Sequence, residues 1–122
     1  MAYTLNLRTF TDTRGNLTVI EKEIPFDIKR IFYIYGVDDS ERGCHRHKKT
    51  IQAAICINGS CDIYNYDGEN ESVFNLNSPS LCLILETKDW HKMYNFTKDA
   101  ILLVLASECF DINDYIYENY PL

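Results

Sequence analysis

No stretch of this chain shows the long 3.6-residue apolar periodicity of an amphipathic helix; β-prone runs recur instead at short intervals between turn residues. The runs are Thr18 to Glu21, Arg30 to Tyr35, Thr50 to Ile57, Cys61 to Tyr66, Ser72 to Asn75, Leu81 to Glu86 and Ala100 to Ala106. Between them stand Arg14-Gly15-Asn16, Asp38-Asp39-Ser40, Asn58-Gly59-Ser60, Asp67-Gly68-Glu69 and Asn77-Ser78-Pro79, all rich in residues that tolerate turn geometry. This pattern predicts an all-β antiparallel sandwich or barrel, with a jelly roll as the leading architecture. At 122 residues the chain is long enough for one domain, taken as 1–122, with one real core.

Two hairpins are legible. Asn58-Gly59 and Asp67-Gly68 each accept the positive φ angles of a tight turn between alternating strands. The run Arg30-Ile-Phe-Tyr-Ile-Tyr is bulky on both faces, so alternation does not say which face points inward. Burial of one face in a core and of the other in a dimer contact accounts for this, and a homodimer is expected. The acidic tail from Asp111 to Leu122, with Tyr115, Tyr117 and Tyr120, fits either a short helix or a clasp over the barrel.

Charge narrows the function. Twelve Lys and Arg against eighteen Asp and Glu leave a net charge of −6, which cannot supply the basic stripe of a nucleic-acid binder. The longest apolar run, Ala100 to Ala106, is far too short to cross a bilayer, and the first residues lack a basic segment followed by an apolar one. No membrane association is expected. Five cysteines, Cys44, Cys56, Cys61, Cys82 and Cys109, form no C-x-x-C pair; two lie in apolar runs, as reduced core thiols do, and a cytoplasmic location is expected.

The chain has three histidines, and their placement carries the chemistry. His45 and His47 form a His-x-His pair which, if extended, puts both imidazoles on one face of a strand; His91 follows Trp90. The spacing Gly43-Cys-His45-Arg-His47, Gln52, Gly59, and later His91 and Asn95, resembles the two motifs of the cupin superfamily, small β-barrels that usually bind a metal through three His and one Glu. Gln52 stands where a metal-binding cupin has Glu, and a neutral amide is a weaker ligand for a divalent metal than a carboxylate. No metal is therefore expected. A metal-free His pair at a barrel mouth suits acid–base work, because imidazole titrates near working pH.

A wider resemblance follows from Arg14 to Glu21, Ile24 to Gly36, Arg42-Gly-Cys-His-Arg-His-Lys48, Trp90-His-Lys-Met-Tyr-Asn-Phe96, Leu103 to Ser107 and Asp114-Tyr115. Together these segments, in matching order over residues 8 to 117, resemble the nucleotide-sugar 3,4-ketoisomerases, the FdtA/QdtA and WxcM-like cupin family. The resemblance implies a single-domain cupin jelly-roll β-barrel that forms a homodimer, takes no cofactor and converts a dTDP-linked 4-keto-6-deoxy sugar to the 3-keto isomer. The product would feed the synthesis of 3-amino-3,6-dideoxyhexoses for surface polysaccharide.

The family's two motif histidines fall on His45 and His47. A base takes the proton from sugar carbon 3, giving an enediol, and an acid returns one to carbon 4. His47 is expected to be the principal base and His45 its partner. Tyr33, Tyr35 and Arg42 are candidates to stabilise the enediolate, with Tyr35 placed in the catalytic set; Arg42 and Arg30 could instead hold the diphosphate. Gln52 and His91 complete the expected substrate-binding set. Arg14 and His91 match the residues that accompany the galacto branch, so the 3-keto-6-deoxygalactose product is favoured. Arg46 and Cys44 depart from the usual motif. Two other readings compete: a metal-dependent small cupin enzyme, and a non-catalytic sugar-nucleotide binding module.

Overall fold

The computed structural model describes residues 1–121, so Leu122 of the expected tail and domain lies outside the described residues. Twelve strands are present: β1 Tyr3–Asn6, β2 Thr9–Asp12, β3 Gly15–Thr18, β4 Arg30–Ile34, β5 Arg42–His47, β6 Gln52–Asn58, β7 Cys61–Tyr66, β8 Glu71–Leu76, β9 Leu81–Leu85, β10 Trp90–Tyr94, β11 Ile101–Ala106 and β12 Tyr115–Ile116. One 3₁₀ turn, Ile112–Asp114, precedes β12, so the tail is both a short helical turn and a strand.

Two five-stranded sheets face each other, in the orders β1-β9-β6-β11-β4 and β12-β5-β10-β7-β8, with β2 and β3 as a separate hairpin. Every pairing is antiparallel. This is the expected all-β jelly-roll arrangement. The hairpin expected at Asn58-Gly59 is instead a corner: β6 and β7 do not pair, and the turn carries the chain from the first sheet to the second, whereas Asp67-Gly68 joins the paired strands β7 and β8. Gly59 has φ +68 with Thr97, Asp99 and Ala100 packed where a Cβ would sit. A side chain there meets both strain and backbone.

Period-two alternation sorts the strands into two cores. Ala54, Cys56, Ile63, Leu83, Leu85, Met93, Leu102 and Val104, with Phe32 and Ile34 beside them, fill one apolar cluster between the sheets. The opposite face of the first sheet carries Ala53, Ile55, Cys82, Ile84 and Leu105, covered by Leu7, Ile20, Ile24 and Phe26. On β4 and at Tyr35 just after it, alternation therefore sends Arg30, Phe32 and Ile34 inward, and Ile31, Tyr33 and Tyr35 outward, where they are 62%, 61% and 67% exposed. The five cysteines are free, with Cys56, Cys61 and Cys82 buried as small apolar groups. Among the described residues no helix is long and apolar enough to cross a membrane.

The strand expected at Thr18 to Glu21 is displaced: β3 ends at Thr18, and the following residues run as irregular chain over the sheet. The β2–β3 hairpin turns at the Arg14-Gly15 signal and pairs with no other strand. Phe10 and Leu17 on it are 59% and 60% exposed. A lone two-stranded hairpin is marginal in water, and this one keeps two large apolar side chains exposed.

Candidate active site

Strands β7, β10 and β5 lie side by side, so Asn65, His91 and His45 stand in one row across the second sheet. Two residues further along β5, His47 lies opposite Tyr115 of β12. The period of two puts both β5 histidines on the inner face. A β-bulge sharpens their aim: pairing slips between His91 and Lys92, leaving Cys44 unpaired at φ 58 next to Gly43 at φ 82. A Cβ on Gly43 would come within 3.2 Å of the His91 carbonyl and 3.5 Å of its ring, so the glycine lets the two strands close around the imidazole.

Each histidine is held by its Nδ1. His45 Nδ1 lies 2.8 Å from the Gly43 carbonyl, His47 Nδ1 2.8 Å from the Asp114 carboxylate, and His91 Nδ1 3.0 Å from the Asp89 carbonyl. All three partners are acceptors, so each ring donates its Nδ1–H and keeps Nε2 as a lone-pair atom. One ring nitrogen from each lies within 4.8 Å of the others. His47 Nε2, His91 Nε2 and Gln52 Oε1 are buried without a protein partner, which leaves acceptors pointing at whatever donor enters.

Burial is the largest influence on all three rings and favours the neutral form. It pulls His45 down to about 4, helped by the proximity of His47. His91, which is fully buried, falls to about 3. His47 also lies below the ordinary value, but the hydrogen bond and charge of Asp114 oppose burial there. His47 is thus the imidazole whose conjugate acid is supported by a carboxylate, as a general base needs.

Asp114 is itself anchored: its carboxylate accepts from Lys49 N at 2.7 Å, Lys48 N at 3.1 Å and Thr50 Oγ1 at 2.5 Å. Burial works to raise its pKa, but these bonds and His47 outweigh it and hold the carboxyl below its usual range.

These shifts set an acid limit on stability. Unfolded histidine takes a proton near 6.5, whereas folded His45 and His91 resist it down to about 4 and 3. Between those values the unfolded chain binds more protons, so stability is complete above pH 6.5 and is lost as the pH falls through that window. Asp89, whose pKa is raised by burial, acts in the opposite sense from 3.8 upward. A thermal melt series from pH 7.5 to 4.5 should show Tm falling by several degrees, most steeply below pH 6.5; a flat series would contradict neutral, buried imidazoles.

His45 and His91 border a cavity of about 130 Å³ lined also by Arg30, Phe32, Ile34, Arg42, Gly43, Gln52, Met93 and Tyr115, and the His47 ring stands directly behind, 4.9 Å from that of His45. Arg30 lies 4.5 Å from the Phe32 ring and 5.3 Å from the Phe110 ring, and among the described residues it forms no ion pair. A guanidinium held between aromatic faces and left without a carboxylate is set up to meet an anion. Arg42 is exposed at the mouth.

Of the expected residues, the structure brings together His45, His47, His91, Gln52, Arg30 and Arg42. It does not bring in Tyr33, Tyr35 or Arg14. Tyr33 on β4 and Tyr35 just beyond it stack on each other at 5.7 Å on the outer face of the sheet, outside the cavity lining of the same chain. Arg14 sits on the β2–β3 arm, its side chain 87% exposed and paired with Asp12. The tyrosine at the histidines is Tyr115, whose ring lies 4.7 Å from those of both His45 and His47. Sequence reasoning gave no role to Tyr115 or Asp114, although the pair was already a recognisable motif. It missed Asp89, whose buried carboxylate accepts from Asn65 and from the Glu86 N–H and so fixes the turn that presents His91.

Known proteins resemble this chain in sequence and fold. The family described as "FdtA: WxcM-like, C-terminal" matches residues 2–121. The chain belongs to that family. It is 41% identical over 121 residues to the TDP-4-oxo-6-deoxy-alpha-D-glucose-3,4-oxoisomerase of Aneurinibacillus thermoaerophilus, covering 95% of this chain and 87% of the relative. A 3,4-ketoisomerase from Helicobacter canadensis superposes with a TM-score of 0.92 at 43% identity, over 96% of this chain and 90% of that one. A histidine-to-asparagine variant of the 3,4-ketoisomerase QdtA from Thermoanaerobacterium thermosaccharolyticum, in complex with TDP-4-keto-6-deoxyglucose, gives 0.91 at 42% identity, over 96% and 87%. This member of the FdtA/WxcM-like family is an isomerase with the 3,4-ketoisomerase fold.

Proposed function

We propose that the chain isomerises a dTDP-linked 4-keto-6-deoxyglucose to the 3-keto sugar, with 3-keto-6-deoxygalactose as the product. The observation that carries this reading is the His47–Asp114 pair beside two further imidazoles, with ring nitrogens of all three within 4.8 Å of one another. The proton on carbon 3, next to the carbon 4 ketone, is acidic enough for a positioned imidazole to remove. His47 Nε2 takes it, and Asp114 stabilises the imidazolium. Electron density moves onto the carbon 4 oxygen, giving an enediolate. The hydroxyl proton on oxygen 3 passes to oxygen 4 through His45, and the proton held by His47 returns to carbon 4, leaving the ketone at carbon 3. No redox partner is consumed.

Arg30 and the Tyr115 phenol are the groups assigned to the charge that builds on the oxygens, the role for which the sequence offers Tyr33, Tyr35 and Arg42. His91 Nε2 and Gln52 accept and orient sugar hydroxyls. A cavity of about 130 Å³ suits the sugar ring alone, so the nucleotide lies across the mouth near Arg42.

The enzyme is further proposed to work as a homodimer in the cytoplasm. The exposed Ile31, Tyr33 and Tyr35 face and the unsupported β2–β3 arm are the surfaces such a contact would cover. Arg14 reaches a sugar site only across that contact, in the partner's cavity.

The test is incubation with dTDP-4-keto-6-deoxyglucose in deuterated buffer, with carbon assignment of the product by NMR. Deuterium at carbon 3 of recovered substrate and a 3-keto product are expected; binding without turnover would leave only a sugar-nucleotide binding module. A second reading is favoured by the convergence of three imidazole nitrogens, which with Gln52 Oε1 could hold a divalent cation. Activity lost to a chelator and restored by the cation would establish that reading instead.

A further inference from the structure

Arg46 lies between the two site histidines on β5 but faces the opposite side of the sheet, where it meets the C-terminal segment. Its guanidinium stacks on the Tyr120 ring at 4.2 Å, and Nη1 donates to the Tyr120 hydroxyl at 2.9 Å. The same hydroxyl donates to the Lys88 carbonyl at 2.8 Å. Beneath the ring lies Gly68, at φ +98, where a Cβ would come within 3.3 Å of Tyr120 Cδ1. Tyr66 packs edge-on against it, with centroids 5.8 Å apart. Between the two ends of this strap, Trp90 Nε1 donates to the Tyr117 carbonyl at 3.0 Å.

The strap therefore runs from β12, at the edge of β5, across β10 to the β7–β8 turn, and is tied at three places. Its first residue, Tyr115, is the one that walls the cavity. β12 has only two residues, and two ladder positions hold a strand weakly.

We propose that the Arg46–Tyr120 clasp keeps the strap closed and thereby holds the Tyr115 ring against His45 and His47, making Arg46 and Tyr120 positioning residues for the isomerisation. The inference rests on the reading of the cavity as a ketoisomerase site. Arg46 acts from outside the cavity and touches no substrate. A closed Tyr115 wall limits the access of water to the enediolate, so more of the protons removed from carbon 3 reach carbon 4 before they exchange with solvent. Misplacing such a wall by about an ångström is enough to cost one to two orders of magnitude in rate.

The experiment uses Arg46→Ala and Tyr120→Phe in the full-length chain, compared with the parent and with Glu118→Gln, an exposed strap residue outside the clasp. The chain has one tryptophan, Trp90, and it is bonded to the strap, so its fluorescence reports docking independently of activity. Arg46→Ala should red-shift the emission, increase quenching by acrylamide and lower kcat about tenfold with KM within about twofold. The ratio of carbon 3 exchange to product formation in deuterated buffer should rise at the same time. Tyr120→Phe keeps the stacking but loses both hydroxyl bonds and should lie between Arg46→Ala and the parent; Glu118→Gln should match the parent. A parent enzyme that isomerises, with both clasp variants retaining its kcat, exchange ratio and emission, overturns the proposal. A parent that turns over no 4-keto sugar overturns the underlying functional reading, while the emission shift still decides whether the clasp holds the strap.

Discussion

His47→Asn should lower product formation by about 10³-fold, within the range that a positioned general base contributes, and should abolish carbon 3 exchange with it. Both fall together because the step removed is the first one. The asparagine amide can still donate to Asp114, so the buried carboxylate is not left unpaired and the Tm should change little. His45→Asn separates the roles. His45 is hydrogen-bonded to a carbonyl rather than a carboxylate, Asp114 reaches it only as a minor charge effect, and its pKa of about 4 makes it a weak acceptor of a carbon-bound proton. Removing it should leave carbon 3 exchange measurable while 3-keto product falls, because the relay between the two oxygens is what is lost. The decisive measurement is solvent deuterium at carbon 3 of recovered substrate, followed alongside product by NMR. Exchange that survives His47→Asn but vanishes in His45→Asn would reverse the assignment of the base.

How much of this could be read from the sequence depended on which way each residue faces. Cys61 to Tyr66 is β7 residue for residue, and the Asp67-Gly68 hairpin joins β7 to β8, because alternation and turn chemistry are local signals; the Asn58-Gly59 turn leads instead from one sheet to the other, which no local signal distinguishes from a hairpin. The strands β5 and β10 carry the histidines, yet Arg-Gly-Cys-His-Arg-His and Trp-His-Lys-Met-Tyr look weakly β-prone. Their inner faces line a polar cavity and their outer faces meet solvent or the strap, so neither shows a clean apolar stripe. In β4 and the residue just after it the apolar rule gives no answer: a lone Arg shares the inner face with Phe32, and two tyrosines take the outer one. Tyr33 and Tyr35 were therefore plausible cavity residues in sequence and are surface residues in the fold. Asp114 lies 67 positions from His47, and no periodicity connects them. Only the family motif Asp114-Tyr115 pointed there, and it carried no geometry.

Asp114→Asn should be nearly as damaging as loss of the base itself, by a route set by hydrogen-bond polarity. One carboxylate oxygen accepts from Lys48 N and Lys49 N, the other from Thr50 Oγ1 and His47 Nδ1. An amide has one acceptor oxygen, and the two backbone N–H groups cannot turn round to accept from its nitrogen. The amide oxygen is thus held at the backbone side, and the NH₂ faces Thr50 and His47. The threonine hydroxyl can rotate to accept. The imidazole can accept only by moving its proton from Nδ1 to Nε2, which removes the lone pair that faces the sugar. The same wrong-tautomer effect costs about 10⁴ in the serine-protease triad, and a fall in kcat of about 10³-fold is expected here, with the Tm nearly kept. Asp114→Ala differs: it also strips the acceptor from the Lys49 N–H and the buried Thr50 hydroxyl, at about 1–3 kcal/mol for each group left unsatisfied, so the Tm falls as well. Nitrogen-15 NMR of the His47 ring should show the proton on Nδ1 in the parent and on Nε2 in Asp114→Asn. A variant that keeps the Nδ1 proton and still loses activity would mean that the carboxylate's charge, not its orientation of the ring, supports the reaction.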